Sequence, residues 1–168
     1  MTSPEFSAKI PLPFRNPVFS RKILGFAVVA ALLPQTLLAQ TLVECDDWRS
    51  HAANIAEPWE DNTRTYAEGA VRVTVMDAYE PAAGAFHLLI LSPGADEFDF
   101  RQCKVMSFDG GTGFAGLNME GTTAQQDAAA VSLTMPATRW LMETDTFTDA
   151  VLTVKIDLAG GEITGRLD

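Results

Sequence analysis

The sequence predicts a mainly β domain, an antiparallel β-sandwich or small barrel, with one short N-terminal helix after a signal peptide. Two observations predict the architecture. Several short segments alternate apolar and polar residues with the period of a half-buried strand. They recur at regular spacing between glycine-rich turns, seven or so strands in all, which is the pattern of a sandwich or barrel. A third observation sets the compartment: Arg21 and Lys22 precede the uncharged run Ile23–Leu33, which Pro34 ends. That run has the length of a secretory hydrophobic region and falls short of the ~20 apolar residues that span a bilayer. Cleavage is expected after Ala39, although Leu37 stands where a small side chain is usual; an uncleaved anchor is the alternative. The first Cys is Cys45, so lipid attachment at a new amino terminus is not supported.

Residues 1–39 are therefore read as a cleaved signal peptide and 40–168 as a single β-rich domain. The remaining 129 residues carry 21 acidic and 8 basic side chains, a formal charge of −13 against −10 for the whole chain. Such a length suits one domain with a real core. Its acidity repels phosphate, so nucleic acid is not an expected partner, and stable membrane insertion is not expected after cleavage. Frequent Val, Ile, Leu and Phe argue against disorder.

Taken in order, Asp46 or Asp47 caps a short helix whose apolar face is Trp48, Ala52 and Ile55, with Pro58 ending it. Residues 70–76 form a strand, with Val71, Val73 and Val75 on one face. Residues 86–91 are apolar on both faces apart from His87 and suit a central strand. The connection between them, Asp77 to Ala85, is too long for a tight hairpin. Residues 101–108 form a third strand, with Cys103 and Val105 on one face and Lys104, Met106 and Phe108 on the other. Asp109 to Gly113 supply a turn tolerant of positive φ, and residues 114–119 continue as the partner of that strand. A polar linker leads to residues 129–135, where Pro136 stops the strand and leaves Trp140 in a loop. Residues 151–158 and 162–167 form a hairpin through Gly160 and Gly161. Its expected register sets Ala159 opposite Glu162 and places Lys155 unfavourably across from Arg166.

Export gives the cysteines a role. Cys45 and Cys103 are the only two, and in an oxidising compartment they are read as a structural disulfide that pins the amino-terminal segment onto a strand. A redox pair would show closer spacing, and zinc would need two more ligands.

Signals for chemistry are sparse, and no catalytic residue, metal or cofactor is assigned. Ser92 stands in a strand-ending Ser-Pro-Gly and not in a nucleophile elbow. His87, inside an apolar strand, reads as a satisfied buried histidine before it reads as a base, and His51 sits on the polar side of the short helix. Asp96, Glu97 and Asp99 form the densest acidic loop, but without the spacing of a calcium loop. The glycines at 110, 111, 113 and 116 fit no phosphate loop. Trp48, Trp59, Trp140, Tyr66 and Tyr79 read as core aromatics before they read as a carbohydrate or apolar-ligand surface, and Trp59 or Trp140, if exposed, becomes the first candidate for partner contact.

Three stretches, residues 53–60 (AlaAsnIleAlaGluProTrpGlu), 80–93 and 101–105 (ArgGlnCysLysVal), resemble segments of small exported Gram-negative bacterial proteins of uncharacterised function. The resemblance implies a periplasmic location and carries no activity and no catalytic residue. The expected function is a periplasmic or secreted, non-enzymatic binding or accessory domain for a protein or small-molecule partner. Its candidate contact residues are Tyr79, Asp96, Glu97, Asp99 and Trp140, on loops that vary without disturbing a β-scaffold. Two alternatives are a small hydrolase using His87 or His51 with a carboxylate, and an apolar-ligand carrier with a cavity inside the β-structure.

Overall fold

A computed structural model describes residues 40–94 and 100–168. The signal-peptide reading of 1–39 and the acidic residues Asp96, Glu97 and Asp99 lie outside the described residues.

Among the described residues ten strands form two antiparallel sheets, which gives the sandwich rather than the closed barrel. The first sheet takes β1 (Thr41–Glu44), β2 (Thr63–Tyr66), β3 (Val71–Asp77), β4 (Phe86–Pro93) and β5 (Arg101–Ser107), in the spatial order β1-β5-β4-β3-β2. The second takes β6 (Gly116–Leu117), β7 (Thr123–Gln126), β8 (Ala130–Leu141), β9 (Thr146–Asp157) and β10 (Ile163–Leu167), ordered β10-β9-β8-β6, with β7 also on β8. Alternation decides what goes between them. Val71, Val73 and Val75, Leu88 and Ile90, and Met106 are buried from the first sheet. Val131, Leu133 and Met135, and Leu152, Val154 and Ile156 are buried from the second. At Gly165 a Cβ would stand 2.6 Å from the Met106 Sδ, so the two sheets meet there at close range.

The expectation of a central strand at 86–91 holds, with β4 third of five. Its second apolar face is covered in part by the segment between β1 and β2, while Leu89 and Leu91 line a groove that stays open on that side. Ile55 bridges Met76, and the Trp48 ring meets His87 edge-on at 5.8 Å. The cysteine expectation also holds: Cys45 and Cys103 are bonded, and β1 pairs with β5 in the register Glu44 to Lys104.

The short helix resolves into two 3₁₀ turns, Trp48–Ser50 and Ala52–Asn54, with His51 extended between them. Asp47 caps the first as expected, accepting from the Arg49 amide at 3.0 Å and from its guanidinium. Because Ile55 is tied to Met76 and Ala56 donates to the Val75 carbonyl at 3.0 Å, the sheet fixes the course of this segment. Ala52 is exposed rather than part of an apolar face.

Three stretches pair differently from the sequence reading, besides the last hairpin. Pro136 does not stop a strand: β8 runs through it, opposite Val151, to Leu141, and Trp140 is a strand residue opposite Phe147. The Pro136 carbonyl accepts from the Asn118 amide at 2.9 Å, so its ring nitrogen faces the same edge, in the break between β6 and β7 where the ladder asks for no donor. Residues 114–119 do not pair with β5. The expected turn forms at 109–112, but Gly113 then donates to Gly84, Phe114 exchanges two hydrogen bonds with Phe86, and β6 joins β8 in the other sheet. The polar linker after Gly121 contains β7.

The last hairpin is shifted by two residues from the expected register, with Ile163 opposite Ile156 and Leu167 opposite Leu152. An even shift keeps the same residues inward. The cause is Asp157, whose Oδ1 accepts from the Ala159 and Gly160 amides at 2.8 and 3.0 Å and builds a longer loop. These two bonds hold its carboxyl below the usual carboxylate range. Lys155 consequently faces Thr164, Arg166 faces Thr153 and pairs with Asp168 at 2.7 Å, and the like-charge apposition does not arise.

Candidate functional site: an apolar cleft at one end of the sandwich

The alternation that fills the core continues along β8 beyond the body of the sandwich. Arg139 and Leu141 keep the inward phase of Val131, Leu133, Met135 and Ala137, but opposite them stand the connections of the first sheet instead of a strand. The result is a cleft of about 540 Å³. One wall comes from the β3–β4 connection, through Pro81, Ala83 and Gly84, and from Phe108 and the turn that follows β5. The other comes from the end of β8 and the hairpin tip, through Arg139, Leu141 and Met142. A volume of this size lies within the usual range for small-molecule sites, roughly 300–1,000 Å³.

Both walls are anchored. Phe108 packs edge-on against the buried Phe114, centroids 6.2 Å apart. On the opposite wall the ladder from Arg139 with Thr148 to Leu141 with Thr146 holds the hairpin, and the Trp140 Nε1 donates to the Asp145 carboxylate at 3.1 Å. The lining is mostly apolar, with one cation. Arg139 is half-buried, and its Nε is shut from solvent without a hydrogen-bond partner. Asp109 and Glu143 stand exposed at the rim.

Trp140 and the Asp77–Ala85 connection, both expected at a contact site, are thus brought together. Tyr79 shares that connection but is not in the lining; it is 68% exposed at φ 66°, with its amide donating to the Asp77 carboxylate at 2.9 Å. Arg139, Leu141, Met142 and Phe108 were not singled out by sequence reasoning. The signal for Leu141 and Met142 was an apolar pair beside an acidic turn, and the assumed strand stop at Pro136 hid it. Trp59, 55% exposed, rims a separate open groove on the outside of the first sheet.

The histidines are placed differently from each other. His87 is fully buried and its Nδ1 lies 2.9 Å from the Ser107 Oγ, itself fully buried. Burial first, and then the positive charge of Arg49, pushes its pKa down to about 4, against a smaller opposing pull from Asp47. The ring is neutral at pH 7, and its Nε2 is enclosed without a partner. His51 is exposed at the junction of the two 3₁₀ turns. Among the described residues, no three His, Cys, Asp or Glu side chains converge where a metal ion could sit, and no helix is long and apolar enough to cross a membrane.

A measurable consequence follows for His87. Its folded-state pKa lies below the ~6.5 of an unfolded chain, so between pH 6.5 and 4 the unfolded chain takes up a proton that the folded one refuses. Stability should fall with falling pH across that window, by on the order of 2–3 kcal/mol from this group. Urea unfolding of the parent and of His87→Leu at pH 7 and pH 4.5 reads it: the parent should lose more than the variant, and parallel losses would show that His87 is not the group responsible.

Fold and site together define a disulfide-stapled antiparallel β-sandwich with an apolar cleft at one end. No family model, curated protein or solved structure matches the chain.

Proposed function

We propose that this protein is a small exported, periplasmic binding or accessory module that works without catalysis, and that the end cleft is its binding site. The observation that carries the reading is the cleft: apolar side chains held open on two anchored walls, at the place where Trp140 and the β3–β4 connection meet. Apolar surface left unfilled in this way is a site for a ligand or a partner's side chain. Export is supported by the Arg21-Lys22 and apolar pattern of the leader, by the disulfide, which suits an oxidising compartment, and by the resemblance of three stretches to exported Gram-negative proteins.

Two alternatives have less support. A hydrolase using His87 with a carboxylate needs a substrate to reach a ring that is fully buried with Trp48 against it, and the exposed His51 makes no contact with a carboxylate among the described residues. A carrier of the kind that encloses its ligand between the sheets meets a space occupied by Phe114, Met135, Leu152 and their neighbours.

N-phenyl-1-naphthylamine, a neutral dye that brightens in apolar surroundings, tests the site. It should bind the oxidised protein with micromolar affinity. Leu141→Glu, which puts a charge into the cleft, should weaken it at least tenfold. Val151→Glu, on the outside of the second sheet, should leave it unchanged. Equal binding by all three proteins would place the dye elsewhere and remove the cleft as the binding site.

A further inference from the structure

The ligand class is written in Arg139, the one cation that lines the cleft among the described residues. We propose, resting on the end cleft as the binding site, that it selects an amphipathic carboxylate: an apolar body against Phe108, Leu141 and Met142, with its carboxylate on the Arg139 guanidinium. The structure brings these residues to one concavity, in which Arg139 lacks a partner among the described residues.

Among the described residues the other guanidiniums are accounted for. Arg49 pairs with Asp47 and Arg166 with Asp168. Arg64 donates to the Glu60 and Thr63 carbonyls, and Arg101 donates to those of Gly69 and Ala70. Arg72 is exposed to water. Arg139 alone is half-buried, forms no ion pair among the described residues, and has an Nε closed off from solvent with no acceptor. A buried donor left in this state is costly, and a chain with 21 acids in its last 129 residues offers many ways to avoid it. That nitrogen is out of a ligand's reach, but the two terminal nitrogens of the same guanidinium make no hydrogen bond or ion pair among the described residues and are not closed off, so an acceptor entering the cleft meets them.

Carboxylate is the head group that fits best. A guanidinium presents a planar fork of donors that matches two carboxylate oxygens, and such charge-assisted pairs strengthen away from water. The body of the ligand follows from the rest of the lining, which offers apolar contact from Pro81, Phe108, Leu141 and Met142. The opposing case is a cationic head group read by Asp109 and Glu143. Both of these stand exposed at the rim, where solvent and salt screen them, whereas Arg139 is partly removed from solvent.

The test is competition against N-phenyl-1-naphthylamine at pH 7.5 with decanoate, 1-decanol and decylammonium, each below its aggregation threshold. These share one apolar chain and differ in head group. Decanoate should displace the dye at about tenfold lower concentration than decanol, a difference of about 1.4 kcal/mol, and decylammonium should be the weakest. Arg139→Gln should bring decanoate into line with decanol, each read against the dye affinity of that same variant. Equal displacement by decanoate and decanol, or a decanoate preference that survives Arg139→Gln, overturns the carboxylate assignment and leaves the cleft standing. Strongest displacement by decylammonium also overturns it, in favour of the acidic rim. If the dye itself does not bind, the cleft falls as a binding site and this assignment falls with it.

Discussion

Replacing both cysteines, Cys45→Ala with Cys103→Ala, is expected to remove about 4 kcal/mol of stability and to lower the melting temperature by roughly 10 to 15 °C. The two residues are 58 positions apart, so the bond closes a long loop and sharply restricts the unfolded chain. Placement adds to the effect. β1 is a strand of only four residues whose one sheet partner among the described residues is β5, and the disulfide follows directly on its last residue, Glu44. The strand is otherwise held by its ladder, by the Glu44–Lys104 pair, and by the Thr41 hydroxyl, which accepts from the Gly110 amide at 2.9 Å. Calorimetry gives the global loss, and amide exchange gives its location: protection should fall first along β1 and remain in β8 and β9. A loss below about 1 kcal/mol would mean that the unfolded chain is already restrained without the bond.

Gly113→Ala is expected to cost more than about 3 kcal/mol, although it adds one methyl group. At this position a Cβ would overlap the carbonyl oxygen of Phe86, come within 2.5 Å of that of Gly84, and stand 3.0 Å from the His87 Cε1. The two oxygens belong to the backbone at the point where the chain crosses from one sheet to the other. Gly84 accepts from Gly113 itself at 2.8 Å, and Phe86 from Phe114 at 2.7 Å. Neither can retreat without opening the crossing. Gly165→Ala is the informative comparison. There the obstacles are the Sδ and Cε of Met106, the far end of a flexible side chain, so repacking should limit the loss to roughly 1–2 kcal/mol. Denaturant unfolding of both variants checks the contrast, and a Gly113→Ala protein within 1 kcal/mol of the parent would contradict the crossing geometry. Because Gly113 also lines the cleft, its substitution should weaken dye binding as well.

How far the fold could be read ahead of the structure varied with the range of the interaction. The face of each well-formed strand was legible: Val71, Val73 and Val75 are all inward, as are Leu152, Val154 and Ile156. So was the central position of β4, since apolar residues on both faces suit a strand with a neighbour on either side. The burial of His87 was legible for the same reason, whereas its expected satisfaction is only half met, because Ser107 meets Nδ1 and Nε2 is enclosed without a partner. Partners were not. Residues 114–119 look like the return strand of a hairpin after Asp109–Gly113, yet a close approach at Gly113, invisible in local pattern, sends them to β8. Pro136 reads as a stop because its missing donor is a local fact, whereas the edge it faces is set by β6 and β7. The site suffered most from this. Once β8 was ended at Pro136, the inward phase reaching Arg139 and Leu141 could not be followed.

The sequence alone determined the β class, the identity of most core positions, the disulfide and the even parity of the last hairpin, because each rests on a two-residue period or on a count of two cysteines. Tertiary structure decided which strands meet, that the sheets form a sandwich, that the register moves by two at Asp157, and that one arginine faces an apolar cleft without a partner. The physical reason is that alternation tells a side chain which way to point, while what it finds there depends on chain segments tens of residues away.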